Sequence, residues 1–124
     1  MITVYGIPNC DSVKKARTWL SARGLEFRFH DFKKQGVPAD RLAAWAQAVG
    51  LDALLNRQGT SWRKLDAPAQ ASASTELGAH GLLIANPSLI KRPVVEWGGP
   101  GAQISVGFAE GSWSARFARA TETG

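Results

Sequence analysis

The chain has 124 residues, 44% hydrophobic and 20% charged, with a formal net charge of +5 and an isoelectric point near 9.9. This length predicts one domain with a real core, and a single cysteine excludes a disulfide scaffold. The positive charge favours anionic partners. Because the sequence contains neither a signal-peptide pattern nor an apolar run of about 18 residues, we expect a cytoplasmic protein without a membrane partner.

The opening of the chain predicts a β-α-β unit. The β-branched and aromatic residues Ile2 to Tyr5 favour a short buried strand. Apolar residues then recur at helical spacing from Asp11 until Gly24, which is a plausible C-cap. The segment "LEFRFHDF" alternates apolar and polar residues, which is typical of a strand with one buried face.

The middle of the chain predicts helices. The segment "VPADRLAAWAQAVGLDALLN" has Leu42, Trp45, Ala46 and Val49 at helical spacing, and a short turn continues it after Gly50. Residues 56–74 lose this periodicity and are predicted to form a loop. "STELGAHGLLIANP" predicts a further helix that is capped by Ser74 or Thr75.

The last third predicts two strands and a helix. "KRPVVEW" and "ISVGF" flank a glycine-rich hairpin, and "EGSWSARFARA" has helical spacing. The element order predicts an α/β fold, with a helical insertion at about residues 39–85 between a β-α-β half and a β-β-α half. We expect one domain over residues 1–118 and a frayed polar tail over 119–124. Trp19, Trp45 and Trp113 lie on apolar helix faces and are predicted core residues.

Cys10 is the candidate nucleophile. It lies where the first strand leads into a helix, and free N–H groups and the helix dipole there favour a thiolate. Lys14 and Lys15 add positive charge one turn on, and Ser12 is placed to cap the helix or to hydrogen-bond the sulfur. The alternative is a small buried cysteine that only packs.

Three segments carry a resemblance to a known family. "GIPNCDSVKKAR", "ALLNRQGTSWRKL" and "IKRPVVEW…VGF", in this order, resemble the ArsC/Spx/YffB family, and in particular its YffB-type branch, over residues 2 to about 117. The resemblance implies a thioredoxin-like mixed sheet with helices on both sides, and Cys10 as the redox-active thiol. It also implies that Arg92 and Pro93 flank this thiol and that the Arg92–Pro93 peptide bond is cis. The alternative for "KRP" is a proline that begins an edge strand.

The sequence departs from the family pattern at several positions. Arsenate reductases of this family have a C-x-x-S pattern and three arginines, whereas this chain has Val13 three residues after the cysteine. Only Arg92 falls on an arginine position, since Asn56 and Gly107 occupy the other two. The loss of guanidinium groups weakens an oxyanion site, so we do not expect efficient arsenate reduction. Val13 also excludes the C-x-x-C disulfide switch of Spx.

The resemblance implies a glutathione-dependent thiol reductase with one nucleophilic cysteine. Glutathione or another small anionic thiol is then the co-substrate. In this scheme three groups near the sulfur stabilise the thiolate: Asn9, Ser12 and Lys14. The residues that bind glutathione or the substrate are Lys15, Arg57, Arg63, Arg92 and Pro93. The alternative is an Spx-like module that binds a protein partner without turnover.

Four further expectations concern partners and ligands. His30 and His80 are isolated from other metal-ligating residues, so no metal site is predicted. The lysines and arginines are dispersed and no nucleic-acid-binding motif is present, so nucleic acid is not an expected partner. We expect a monomer. Trp62, next to Arg63, is predicted either to stack on a ligand or to pack in the core.

Overall fold

A computed structural model describes residues 2–98, 103–109 and 111–114. Its four strands form one mixed sheet: β1 (Ile2–Gly6), β2 (Phe27–Asp31), β3 (Val94–Glu96) and β4 (Ile104–Val106). The spatial order is β2-β1-β3-β4, with β1 parallel to β2 and the other neighbours antiparallel. β3 therefore lies inside the sheet, and the edge-strand alternative for "KRP" is wrong.

Seven α-helices are assigned in the described ranges, and five of them lie between residues 39 and 85. They are α1 (Asp11–Ala22), α2 (Phe32–Gln35), α3 (Ala39–Val49), α4 (Leu51–Leu54), α5 (Thr60–Arg63), α6 (Ala67–Ser72) and α7 (Glu76–Ala85). A 3₁₀ turn over Pro87–Leu89 leads into β3, and residues 111–114 are helical. None of the described helices is both long and apolar enough to cross a membrane.

The sheet separates two hydrophobic cores. Successive strand residues point to opposite faces, so Val4 packs with α1 while Tyr5 packs with the helices between β2 and β3. Trp19 and Trp113 are buried on the first face and Trp45 on the second. The predicted α/β fold, with helices on both sides of a mixed sheet, is confirmed, as is the core placement of these three tryptophans.

Local caps explain where the secondary structure departs from the prediction. The predicted loop over residues 56–74 contains α5 and α6. α6 begins at Ala67 because the Asp66 carboxylate accepts a hydrogen bond from the Ala69 N–H at 2.9 Å and Pro68 suits a first helical turn. Asp31 similarly accepts a hydrogen bond from the Lys33 N–H at 2.9 Å and caps α2. β2 therefore ends at Asp31, and Phe32, which the alternation placed in the strand, is helical.

Glycines divide and pack the central helices. The predicted long helix is split into α3 and α4 at Gly50, whose φ of 87° belongs to the left-handed region. Thr75 caps α7 as one of the two predicted alternatives, accepting from the Gly78 N–H at 3.1 Å. A Cβ at Gly78 would lie 2.0 Å from the Ser72 carbonyl oxygen, so only glycine lets α7 pack this closely on α6.

The end of the chain is described only in part. Residues 111–114 confirm the start of the predicted C-terminal helix, while its remainder and the predicted polar tail over 119–124 lie outside the described residues.

The carboxylate of Glu96 joins the sheet to α3. It accepts hydrogen bonds from the Tyr5 hydroxyl at 2.9 Å, the Arg41 Nε–H at 2.7 Å and the Trp45 Nε1–H at 2.8 Å. These donors hold the pKa of Glu96 below its ordinary value against the opposing effect of burial. Burial, followed by the bond to Glu96, raises the pKa of Tyr5 to about 12. This network fixes α3 against β1 and β3.

Candidate functional site

Cys10 lies at the junction of β1 and α1. Its N–H donates to the Ile7 carbonyl at 3.2 Å, which closes a four-residue turn with Pro8 and Asn9 at its corners. Its own carbonyl accepts from the Lys14 N–H at 2.9 Å, so Cys10 is the N-cap residue of α1. The side chain is half-buried and makes no capping hydrogen bond. The sulfur therefore lies at the amino end of a helix and is not engaged in capping it.

The start of α1 is held close to the end of β1. A Cβ at Gly6 would lie 2.7 Å from the Cγ2 of Val13, which is closer than real Cβ contacts allow. Val13 is fully buried, so it has little room to move away. The absence of a side chain at Gly6 thus sets how closely the turn that carries Cys10 approaches the sheet.

The strand register brings Arg92 and Pro93 to the same end of β1. Tyr5 pairs with Val94, so Pro93 lies next to Gly6, immediately before the turn that leads to Cys10. The Arg92–Pro93 peptide bond is cis, which confirms that expectation. The Arg92 Nε is buried and has no hydrogen-bond partner. A buried donor without an acceptor is costly, and an oxygen of a bound ligand would satisfy it.

Two further segments meet at this end of the sheet. The Gly107 N–H donates to the Pro93 carbonyl at 2.9 Å, and a Cβ on Gly107 would lie 3.5 Å from the Lys91 Cε. Asn56 lies beside the 3₁₀ turn that precedes Arg92, because its N–H donates to the Leu89 carbonyl at 2.8 Å. The three positions that were compared with the family arginines therefore lie at the same end of the sheet, and only Arg92 supplies a guanidinium there.

The arginines at positions 57 and 63 have local partners. Arg57 donates to the Asp52 carboxylate at 2.9 Å and its guanidinium lies 5.7 Å from the centre of the Trp62 ring. Arg63 donates to the Gln58 carbonyl at 3.1 Å. Their predicted role in ligand binding stays a prediction, and it requires that each exchange its present partner for a ligand.

The remaining predicted residues surround the turn at Cys10. Asn9, Lys14 and Lys15 are exposed, and Ser12 is half-buried. Because α1 begins at Asp11, Ser12 lies inside the first turn, so its alternative as the cap is wrong. No hydrogen bond joins Ser12 to the Cys10 sulfur within the described ranges. Trp62 is partly buried and packs against the core, while the choice between its two predicted roles stays open.

Sequence reasoning missed two sets of residues. Glu96 was not predicted to organise a polar network, because its donors lie far away along the chain and only the fold unites them. A groove along α1 was also missed, although polar residues spaced three and four apart after Lys14 were a readable signal. No cluster of three or more metal-ligating side chains occurs among the residues that the structure describes.

The fold and this junction define a class. A mixed four-stranded sheet, a cysteine at the first strand–helix junction and a cis proline beside it are the features of a thioredoxin-like α/β protein. A comparison with protein families matches the chain to the ArsC family over residues 5–116. The chain belongs to the ArsC family.

Individual relatives agree with this placement. A Haemophilus influenzae protein is 40% identical over 118 residues, which cover 95% of this chain and all of the relative. The solved structure titled YFFB (PA3664) protein is 42% identical with a TM-score of 0.85, covering 93% of this chain and 97% of the other. The global transcriptional regulator Spx of Streptococcus mutans is 27% identical, covering 89% of this chain and 78% of the relative.

Proposed function

We propose that this protein is a glutathione-dependent thiol reductase in which Cys10 is the nucleophile. The observation that carries the proposal is the strand register, which brings Pro93 and Arg92 beside the turn leading to Cys10. The N–H groups of the first turn of α1 favour negative charge near the sulfur, and the unpartnered Nε–H of Arg92 can receive a carboxylate oxygen.

The proposed chemistry consists of two thiol–disulfide exchanges. The Cys10 thiolate attacks one sulfur of a glutathionylated substrate, a Cys10–glutathione disulfide forms, and the substrate leaves as a thiolate. The thiolate of a second glutathione then attacks the glutathione sulfur of this adduct. Oxidised glutathione leaves and the Cys10 thiolate is regenerated. The net reaction consumes one reduced glutathione: the mixed disulfide of the substrate and glutathione becomes a substrate thiol and oxidised glutathione.

The predicted site residues divide into two groups in this scheme. Asn9, Ser12 and Lys14 lie within four residues of Cys10 along the chain, and in this scheme they stabilise its thiolate form. The second group forms the binding position for glutathione or the substrate. Its cations bind the carboxylates, and Pro93 lines the position beside them: Lys15, Arg57, Arg63, Arg92 and Pro93. A disulfide substrate is favoured over arsenate because a single guanidinium at Arg92 suits a carboxylate better than a multiply charged oxyanion. We also propose a cytoplasmic location, where a lone thiol remains reduced.

Adduct formation tests this proposal. Incubation with oxidised glutathione should add one glutathione to the native chain by intact mass, and reduced glutathione should remove it. Cys10→Ser should form no adduct. Arg92→Gln should slow adduct formation about tenfold, while Arg28→Gln, which removes an exposed arginine on β2, should leave the rate unchanged. A native chain that forms no adduct at Cys10 would refute the proposal.

The second candidate is a protein-binding regulator without turnover. It is supported by the 27% identity to a protein named as a global transcriptional regulator. The two functions differ in what Cys10→Ser removes. A reductase loses turnover with this variant, whereas a binding module retains its partner.

A further inference from the structure

A groove runs along the exposed side of α1, beginning one turn beyond Cys10. It has a volume of about 620 Å³ and opens to solvent. Its lining combines two cations, two hydroxyls and an apolar floor: Lys14, Arg17, Thr18, Ser21, Ala22 and Phe27. Residues four apart lie on one side of a helix, so Lys14 and Thr18 lie on the same side of α1.

The positive charge in this groove is not neutralised within the described part of the chain. Arg41 and Arg57 form ion pairs with carboxylates, but no described residue forms one with Lys14 or Arg17. The Arg17 guanidinium lies 4.2 Å from the centre of the Phe29 ring, and this contact favours one position for the charge. The groove thus presents two unpaired cations next to hydroxyl donors, which suits carboxylates.

The length of the groove suits a short extended peptide. From Lys14 to Ala22, the lining residues at its two ends, α1 rises about 12 Å at 1.5 Å per residue. An extended peptide covers about 3.3 Å per residue, so about four residues lie along this distance. The side chains of Ala22 and Phe27 give such a peptide an apolar surface at the far end.

We infer that this groove binds an extended acidic segment of a partner protein. The inference rests on the proposed function in one respect, namely that the segment carries the glutathionylated cysteine whose disulfide Cys10 attacks. It narrows the substrate class of that function to proteins with glutamate or aspartate residues beside the reacting cysteine. Lys14 and Arg17 would pair with these carboxylates, and Thr18 and Ser21 would donate hydrogen bonds to the peptide.

Peptide binding tests the inference without requiring thiol chemistry. The full chain carrying Cys10→Ser is titrated into a dye-labelled hexapeptide that contains four glutamates, and into its glutamine counterpart, with anisotropy as the readout. We expect the acidic peptide to bind at least fivefold more tightly at low salt, and added salt should reduce the difference. Equal binding of the two peptides, or binding of neither, would overturn the inference.

A pair of matched variants locates the binding. Thr18→Glu adds one negative charge to the groove at an exposed helical position, and Ala71→Glu adds the same charge on exposed α6. Thr18→Glu should weaken binding of the acidic peptide about fivefold more than Ala71→Glu does. Equal effects would show that only net charge matters and would contradict a site on α1. Adduct formation at native Cys10 is measured separately, so failure of the groove leaves the reductase proposal standing and the reverse also holds.

Discussion

Replacing Glu96 with glutamine should loosen the attachment of α3 to the sheet. The Glu96 carboxylate accepts hydrogen bonds from Arg41 at 2.7 Å, Trp45 at 2.8 Å and Tyr5 at 2.9 Å. The glutamine oxygen can still accept from Arg41 and Trp45, and the Tyr5 hydroxyl can reverse to accept from the glutamine amide. The bonds from Arg41 and Trp45 lose their charge assistance, which lowers the free energy of unfolding by about 1 kcal/mol for each of these two bonds. We therefore expect Glu96→Gln to lower the free energy of unfolding by about 2 kcal/mol, or Tm by roughly 8 °C.

The pH dependence identifies the carboxylate as the cause. The pKa of Glu96 is lower in the folded protein, so its stabilising contribution is present above its ordinary pKa and is lost as the pH falls through the folded value. Urea unfolding should show a constant difference between native and Glu96→Gln chains from about pH 6 to 8, and this difference should begin to narrow below about pH 4.5. A difference that does not narrow at all between about pH 4.5 and pH 3, in chains still folded, would refute the assignment.

Tyr5 reports on the same network from the alkaline side. It is the only tyrosine in the chain, so phenolate absorbance measures it alone. Burial and the bond to Glu96 raise its pKa to about 12, and its contribution to stability is present below about pH 10 and lost as the pH rises toward 12. Glu96→Gln should lower the phenolate midpoint only in part, because burial is the larger cause. An unchanged midpoint would contradict the role of Glu96.

Three other substitutions test the packing and the helix capping of the fold. Gly6→Ala places a Cβ 2.7 Å from Val13 Cγ2. It should lower the free energy of unfolding in urea by about 1–3 kcal/mol and slow the alkylation of Cys10. If the unfolding free energy and the alkylation rate were both unchanged, α1 would have room to shift. Trp113→Ala removes edge-to-face contacts with Trp19, Trp97 and Phe108 and should lower the free energy of unfolding by about 3–5 kcal/mol. A decrease below about 1 kcal/mol would place Trp113 outside the core. Thr75→Ala removes the side-chain cap of α7 and should lower the free energy of unfolding by about 1 kcal/mol, whereas Ser74→Ala should leave it unchanged. Equal effects of the two substitutions would contradict the assignment of Thr75 as the cap.

The fold could be predicted where the pattern was local and periodic. Alternation and helical spacing placed β1, α1 and β2, and the glycine-rich hairpin placed β3 and β4, because each signal lies within a few residues. The short helices α5 and α6 were missed because each is too brief for periodicity. The residue that caps α6, Asp66, is also of a type common in loops.

The candidate site could be predicted only in part, since its members are distant in sequence. The strand–helix junction identifies Cys10 from local sequence, but the approach of Pro93 to Gly6 depends on the antiparallel register of β1 and β3. The sequence alone also cannot show that Arg57 pairs with Asp52, because the same arginine would serve equally well in a ligand site. Side-chain partners depend on tertiary contacts, which composition and spacing do not encode.

The most direct test of the central claim is the rate at which the full chain, supplied with reduced glutathione, reduces a glutathionylated peptide. The proposed mechanism predicts steady turnover by the native chain, loss of that turnover in Cys10→Ser, and retention of it in the exposed-arginine control Arg28→Gln. Turnover that persists in Cys10→Ser, or a native chain that does not turn over, would contradict Cys10 as the nucleophile of a glutathione-dependent reductase.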